Sequence, residues 1–212
     1  MLIMEETLKT GTTTVGIVCK DGIVLAADMR ATVGSMIWDK RAQKVHLVND
    51  DFAVTWAGNV SDAQLITKLV SAELKLKEVR THKKPTTKEA ANLLGGLLYS
   101  AIRRPSMMPS IAHFLLAGKD VYGTQLYDLF PDGSISQVDD YVSSGSGSVF
   151  AYGVLETHYA AGLSTADGVK LAVKAVNTAL QRDSASGNGV NVVVVTSKEV
   201  KLVMHKEVQV SL

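Results

Sequence analysis

Gly11-Thr12-Thr13-Thr14 runs straight into the apolar stretch Val15-Gly16-Ile17-Val18. A threonine run ahead of a strand has an ordinary structural reading. A threonine made N-terminal by cleavage after a glycine has a chemical one: its Oγ attacks a carbonyl and its own α-amine takes the proton. Two other features place chemistry-bearing residues where elements begin or end. Asp28 falls at a predicted strand end and Lys44 at a predicted strand start, and Arg182-Asp183-Ser184-Ala185-Ser186-Gly187 follows a predicted helix. Taken singly, each also reads as structure: Asp28 as a turn cap, Lys44 as a solvated cation, the serine segment as a polar loop.

Other chemistries find little support. Gly145-Ser146-Gly147 starts like a dinucleotide fingerprint, but the third glycine position is Phe150 and no parallel βαβ context surrounds it. No GKT/S phosphate loop occurs. The histidines His46, His82, His113, His158 and His205 show no metal-ligand spacing, and the single Cys19 cannot support a zinc cluster. We expect no metal and no cofactor. Cys19 reads as a small buried apolar residue, and a lone cysteine favours a reducing compartment.

The chain has 212 residues, 46% apolar and 20% charged, with a net charge of +1. That is ordinary for a soluble domain and leaves no basic footprint for nucleic acid or an anionic membrane. Met1-Leu2-Ile3-Met4 is followed at once by Glu5-Glu6, without a basic start or a long apolar run. The expectation is a cytoplasmic protein with no nucleic-acid or membrane partner.

These residues must be positioned by elements that the pattern outlines. Strands are predicted over 13–20 and 23–28 around an Asp21-Gly22 turn, and over 44–48 and 52–57. Helices follow over 61–82, with Ser61 as cap and Ile66, Leu69, Val70 and Leu74 as the apolar stripe, and from Thr86, where Glu89 completes a capping box. That second helix stops before Pro105. Strands return over 110–117, 125–130 and 135–142, with Pro131-Asp132-Gly133 as a turn. Helices over 149–161 and 164–181 precede a hairpin of 190–196 and 200–206. Blocks of strands and helix pairs, not alternation, predict an α+β fold of two antiparallel sheets packed together with helix pairs outside. No linker or repeat divides it.

The ordered set of motifs resembles the 20S proteasome β subunits of archaeal type, a family of N-terminal-nucleophile hydrolases. The resemblance covers nearly the whole chain from Thr12. It rests on Thr12-Thr13-Thr14-Val15-Gly16-Ile17, Asp28 with Arg30, Lys44, Ala57-Gly58, Gly145-Ser146-Gly147-Ser148, Ala151-Tyr152-Gly153-Val154-Leu155-Glu156 and Arg182 to Gly187. It implies the four-layer αββα sandwich, in agreement with the block order.

The resemblance also implies roles. Residues 1–11 would be a propeptide removed by self-cleavage between Gly11 and Thr12, leaving 12–212 as one catalytic domain. Thr12 would be the nucleophile, and its freed amine, with a reference pKa of about 7.7–8, a base that works near neutral pH. Lys44 as ammonium would disfavour protonation of that amine and stabilise charge near Oγ; Asp28 would hold Lys44 charged and oriented. Ser146, Asp183 and Ser186 would orient the amine and a water. The Gly58 N–H would be an oxyanion donor, typically worth about 10²–10³ in rate. Ala31, Ala42, His46, Trp56 and Val60 would line the pocket for the side chain before the scissile bond, while Thr32 and Gly58 hold the peptide as an added strand. With no acidic residue among these positions, cleavage after apolar residues is expected. Trp56 would disfavour the largest aromatics, and His46 leaves room for some acidic cleavage. The implied partners are α subunits and other β subunits in stacked heptameric rings, an ATPase regulatory particle reached through the α rings, and unfolded polypeptides as substrate. A non-catalytic ring subunit and a related N-terminal-nucleophile hydrolase are the alternatives.

Overall fold

The structure is a computed structural model that describes residues 11–208. Most of the expected propeptide, and the end of the expected catalytic domain, lie outside the described residues. The chain begins with the hairpin β1 (Thr14–Cys19) and β2 (Gly22–Asp28). Cys19 pairs with Gly22, so the turn is Lys20-Asp21, one residue earlier than the Asp-Gly signal suggested. Gly22 belongs to the strand through its pairings with Cys19 and Thr196, and it is glycine where the Val195 carbonyl takes the place of a side chain: a Cβ there would stand 2.3 Å from it.

Next comes a short hairpin that the pattern did not predict, β3 (Ala31–Val33) and β4 (Met36–Asp39), a separate two-stranded sheet. Its signal was present: two residues, Gly34-Ser35, between apolar or β-branched pairs. Then follow β5 (Val45–Leu47), β6 (Phe52–Gly58), α1 (Val60–Thr81) and α2 (Thr87–Ile102). Helix α1 starts earlier than a Ser61 cap would allow. Asn59 is the N-cap, and its N–H is already taken by the Ile111 carbonyl at 2.8 Å, so the helix begins where the sheet pairing ends. Leu69, counted in the apolar stripe, points outward and is exposed. The Thr86–Glu89 capping box forms as expected, with Glu89 N donating to Thr86 Oγ1 at 3.2 Å and Thr86 N to Glu89 Oε2 at 2.8 Å.

The second half comprises β7 (Ala112–Asp120), β8 (Gly123–Leu129), β9 (Ile135–Val138), β10 (Tyr141–Ser144), α3 (Ser148–His158), α4 (Thr165–Leu180), β11 (Gly189–Thr196) and β12 (Val200–Glu207). The single strand expected over 135–142 is two. β9 pairs with β8, whereas β10 pairs with β1 in the other sheet. The chain crosses between sheets at Asp139-Asp140, and the Asp140 carbonyl accepts from Val18 N at 2.7 Å. The two large sheets have the orders β10-β1-β2-β11-β12 and β5-β6-β7-β8-β9, with every pairing antiparallel.

Alternation along the strands sends side chains into three apolar layers. Between the sheets lie Ile23, Leu25, Ala27, Ala53, Leu115, Leu126 and Val193. Beneath α3 and α4 lie Val15, Ile17, Val24 and Ala26, meeting Leu155, Leu171 and Val176. Beneath α1 and α2 lie Phe52, Val54, Trp56 and Phe114, meeting Ile66, Val70 and Leu94. Three cores between four layers make the αββα sandwich. Among the described residues no helix is long and apolar enough to cross a membrane, and no group of three or more His, Cys, Asp or Glu could hold a metal.

Cys19 sits in the helix-side layer, where a Cβ on Gly168 would reach its Sγ at 2.5 Å. Burial, with Asp21 and Asp167 nearby, pushes its thiol up to about 12. The folded protein therefore keeps that proton where an unfolded thiol, with a pKa of about 8.5, loses it. Cys19 should resist iodoacetamide at pH 8.5 and react on unfolding, and its contribution to stability should fall as pH rises past that value. Rapid native alkylation would contradict this placement.

Candidate active site

The Thr12-Thr13 backbone is held from both sides. Gly147 N donates to the Thr12 carbonyl at 3.3 Å, from the loop between β10 and α3. Asp28 N donates to the Thr13 carbonyl at 3.1 Å, from the end of β2. The loop can come this close because residue 145 is glycine: its φ is +92°, and a Cβ would lie 2.0 Å from the Thr12 carbonyl oxygen. Thr12 is only 2% exposed.

Beside it is a buried ion pair. Lys44 Nζ stands 2.8 Å from Asp28 Oδ1, and the side chains are 1% and 0% exposed. Isolated, each charge would be very costly there. Asp28 is saturated with donors: Oδ1 accepts from Lys44 and from Thr13 N (3.0 Å), and Oδ2 from Arg30 N (3.0 Å) and Gly187 N (2.9 Å). Burial pulls the Lys44 pKa below its ordinary value, while the Asp28 charge and hydrogen bond work to keep the proton on. The ammonium has a second acceptor, the Gly11 carbonyl at 3.1 Å. Thr12 Oγ1 donates to the same oxygen at 2.6 Å.

A second polar chain reaches Thr12 from the amide side. Thr12 N donates to Ser146 Oγ at 3.3 Å, and Ser146 Oγ donates to Asp183 Oδ2 at 2.6 Å. Ser186 Oγ meets the same carboxylate oxygen at 2.6 Å and Thr13 Oγ1 at 2.8 Å. Thr12, Asp28, Lys44, Ser146, Asp183 and Ser186, scattered along most of the sequence, thus form one connected group. Gly58 lies with Thr12, Lys44, Ala31, Thr32, Trp56 and Val60 around a void of about 10 Å³, about the room one water needs. Its φ is +120°, and a Cβ would strike the Ile111 carbonyl at 2.2 Å.

Opening beside this void is a cavity of about 660 Å³. Ala31, Thr32, Ala42, His46, Trp56 and Val60 all line it. The His46 ring stacks on Trp56 at 6.1 Å, and its Nε2 donates to the Gln43 carbonyl at 2.8 Å. Burial lowers the His46 pKa, so the ring is neutral at pH 7. The cavity is less apolar than the six positions implied: Asp39 and Asp62 also line it, with Trp38, Gln64 and Met108. Asp39 and Trp38 come from the unforeseen β3–β4 hairpin and Asp62 from the first turn of α1.

Sequence reasoning gave no site role to two supporting residues. Thr13, hidden in the threonine run, joins both polar groups through its N–H and its hydroxyl. Arg30 ties down the 183–188 loop by donating to the Ser184 carbonyl at 2.9 Å and to Asn188 Oδ1 at 2.8 Å. Its spacing from Asp28 was visible, but the Ser184 carbonyl it holds is 154 residues away.

Replacing Asp28 by Ala removes four accepted hydrogen bonds and leaves Lys44 unpaired. Unfolding in urea should show a loss of about 3–5 kcal/mol. A change below about 1 kcal/mol, the scale of an exposed pair, would show that this ion pair does not anchor the site.

A family model described as "Proteasome subunit" matches residues 8–195. The chain is 42% identical over 198 residues to the "Proteasome subunit beta" of Ferroglobus placidus, covering 93% of this chain and 92% of that protein. It is 44% identical over 193 residues to that of Archaeoglobus profundus, covering 91% and 88%. Against that of Archaeoglobus fulgidus it is 41% identical over 199 residues, covering 94% and 92%. A match along nearly the full chain, on a fold with the family's αββα layers, places this protein in the proteasome subunit family as a β-type subunit.

Proposed function

We propose that this β subunit is a threonine peptidase that activates itself by cutting between Gly11 and Thr12. The observation that carries the reading is the convergence on one carbonyl: Thr12 Oγ1 at 2.6 Å and Lys44 Nζ at 3.1 Å from the oxygen of Gly11. The nucleophile is already beside the bond it would cleave, with a buried cation on the oxygen that becomes negative in the attack. Thr12 Oγ adds to the Gly11 carbonyl carbon, the C–N bond breaks, and the Thr12 nitrogen takes a proton and becomes an amine. Water then hydrolyses the ester to free the Gly11 carboxylate and regenerate the hydroxyl.

Cleavage creates the base. While its nitrogen is an amide, Thr12 cannot accept a proton; as an amine it takes the Oγ proton when Oγ attacks a substrate carbonyl. That proton goes on to the leaving amine of the substrate, and water opens the acyl ester. Ser146, Asp183 and Ser186 orient the amine, and Gly58 supplies the oxyanion N–H. Residues 1–11 are the propeptide in this reading.

The cavity lined by Ala31, Ala42, His46, Trp56 and Val60 receives the side chain before the scissile bond. A neutral His46 with Asp39 and Asp62 opposes a carboxylate, so apolar side chains are preferred and acidic ones disfavoured at neutral pH. Thr32 and Gly58 hold the substrate backbone. The chain works within heptameric β rings stacked between α rings, in the cytoplasm, on unfolded polypeptides supplied by an ATPase through the α rings.

Mass spectrometry of the chain co-assembled with an α subunit should find Thr12 at the N-terminus, and native mass spectrometry should count seven copies per ring. Thr12→Ala should leave the bond after Gly11 intact and abolish labelling by an epoxyketone. An uncut terminus in a particle that hydrolyses peptides would refute the mechanism. Fluorogenic peptides ending in Leu should turn over faster than those ending in Glu by about tenfold or more, equivalent to about 1.4 kcal/mol. Fastest turnover after Arg or Glu would refute the pocket assignment.

A further inference from the structure

Gly11 is clamped on three sides. Its N–H donates to Thr32 Oγ1 at 3.3 Å. Its carbonyl receives Lys44 and Thr12 Oγ1. Its α-carbon rests on Ala185: a Cβ built on Gly11 would lie 1.7 Å from the Ala185 Cβ, 2.8 Å from its Cα and 3.0 Å from its carbonyl carbon. The first distance is little more than a covalent bond, so no side chain fits at position 11 while Ala185 stays where it is.

Ala185 is not free to retreat. Its N–H donates to Asp183 Oδ1 at 3.2 Å, and Ser186 N donates to the Asp183 carbonyl at 3.2 Å. Arg30 holds the Ser184 carbonyl on one side, and Gly187 N is bound to Asp28 on the other. The segment that presents Asp183 and Ser186 to the nucleophile therefore also presents a methyl wall to the residue before it.

We infer that Ala185 is a positioning residue for self-cleavage, a wall that admits only glycine at position 11 and holds its carbonyl against Thr12 Oγ and Lys44. The inference rests on the self-cleavage proposed above. It adds that the requirement for glycine is set by one opposing residue, chiefly through its side chain, and it is reciprocal: opening the wall should relax the requirement.

The experiment is a double-mutant cycle on the full chain assembled with its α subunit, reading the rate at which residues 1–11 are released. Gly11→Ala should slow release by about a hundredfold, the cost of a misplacement near 1 Å. Ala185→Gly alone should slow it by only about tenfold or less, because the carbonyl loses a wall but keeps its hydrogen bonds. Gly11→Ala with Ala185→Gly should cut at least about tenfold faster than Gly11→Ala, a coupling of the kind such cycles isolate. The rescue stays incomplete because the Ala185 Cα and carbonyl carbon remain at 2.8 and 3.0 Å. Thermal melting of each assembled variant separates slow cleavage from misfolding, since lost packing alone would not make a second substitution restore the rate. If the double variant cuts no faster than Gly11→Ala at equal melting temperature, the wall is refuted. If the unmodified chain is not cut at all, self-cleavage itself is what fails.

Discussion

The buried pair of Asp28 and Lys44 is the constraint on which the site depends. Two opposite charges 2.8 Å apart with almost no exposure are tolerable only if further hydrogen bonds satisfy the carboxylate and the ammonium. Those bonds recruit distant parts of the chain: Thr13 before β1, Arg30 after β2, and Gly187 after α4. The ammonium's other acceptor is the carbonyl of Gly11. Electrostatic satisfaction and placement of the Gly11 carbonyl are therefore the same arrangement.

A second group, centred on Asp183, approaches Thr12 from its nitrogen. It shares no side chain with the first, and Thr13 bridges the two by giving its N–H to Asp28 and meeting Ser186 with its hydroxyl. The backbone carries much of this work. Gly145 lets its loop touch the Thr12 carbonyl, and Gly58 lets β6 end against Ile111. The site is compact because backbone lies where side chains would otherwise stand.

The scaffold explains why this precision is possible. Thr12 lies just ahead of β1, a strand flanked by β2 and β10, and all three cores close around the sheets that position it. Groups borne on strands packed on both faces have little freedom to move. The cavity, by contrast, is finished by the β3–β4 hairpin, whose strand β4 is exposed throughout, and by the first turn of α1. Its acidic members come from those two places.

Much of this was legible from residue order alone. Short apolar runs marked most strands, and the capping residue Thr86 marked a helix start, because those signals arise from contacts a few residues apart. The chemistry-bearing residues Thr12, Asp28, Lys44 and Asp183 were visible by type and by family likeness. Pairing partners were not. One predicted strand, 135–142, proved to be two strands in different sheets, because a strand pattern records which faces are buried and not which neighbour buries them. Ser61 lost the capping position to Asn59 because a hydrogen bond to Ile111 ended the sheet there. Asp39 and Asp62 entered the cavity through a hairpin and a helix turn that sequence spacing does not bring together. By itself the sequence determined most of the element types, the layer order and the residue types available for chemistry, since these follow from local patterning. Only the tertiary structure decided which groups touch the Gly11 carbonyl and what stands against its α-carbon, because close packing is set by the chain that returns from far away.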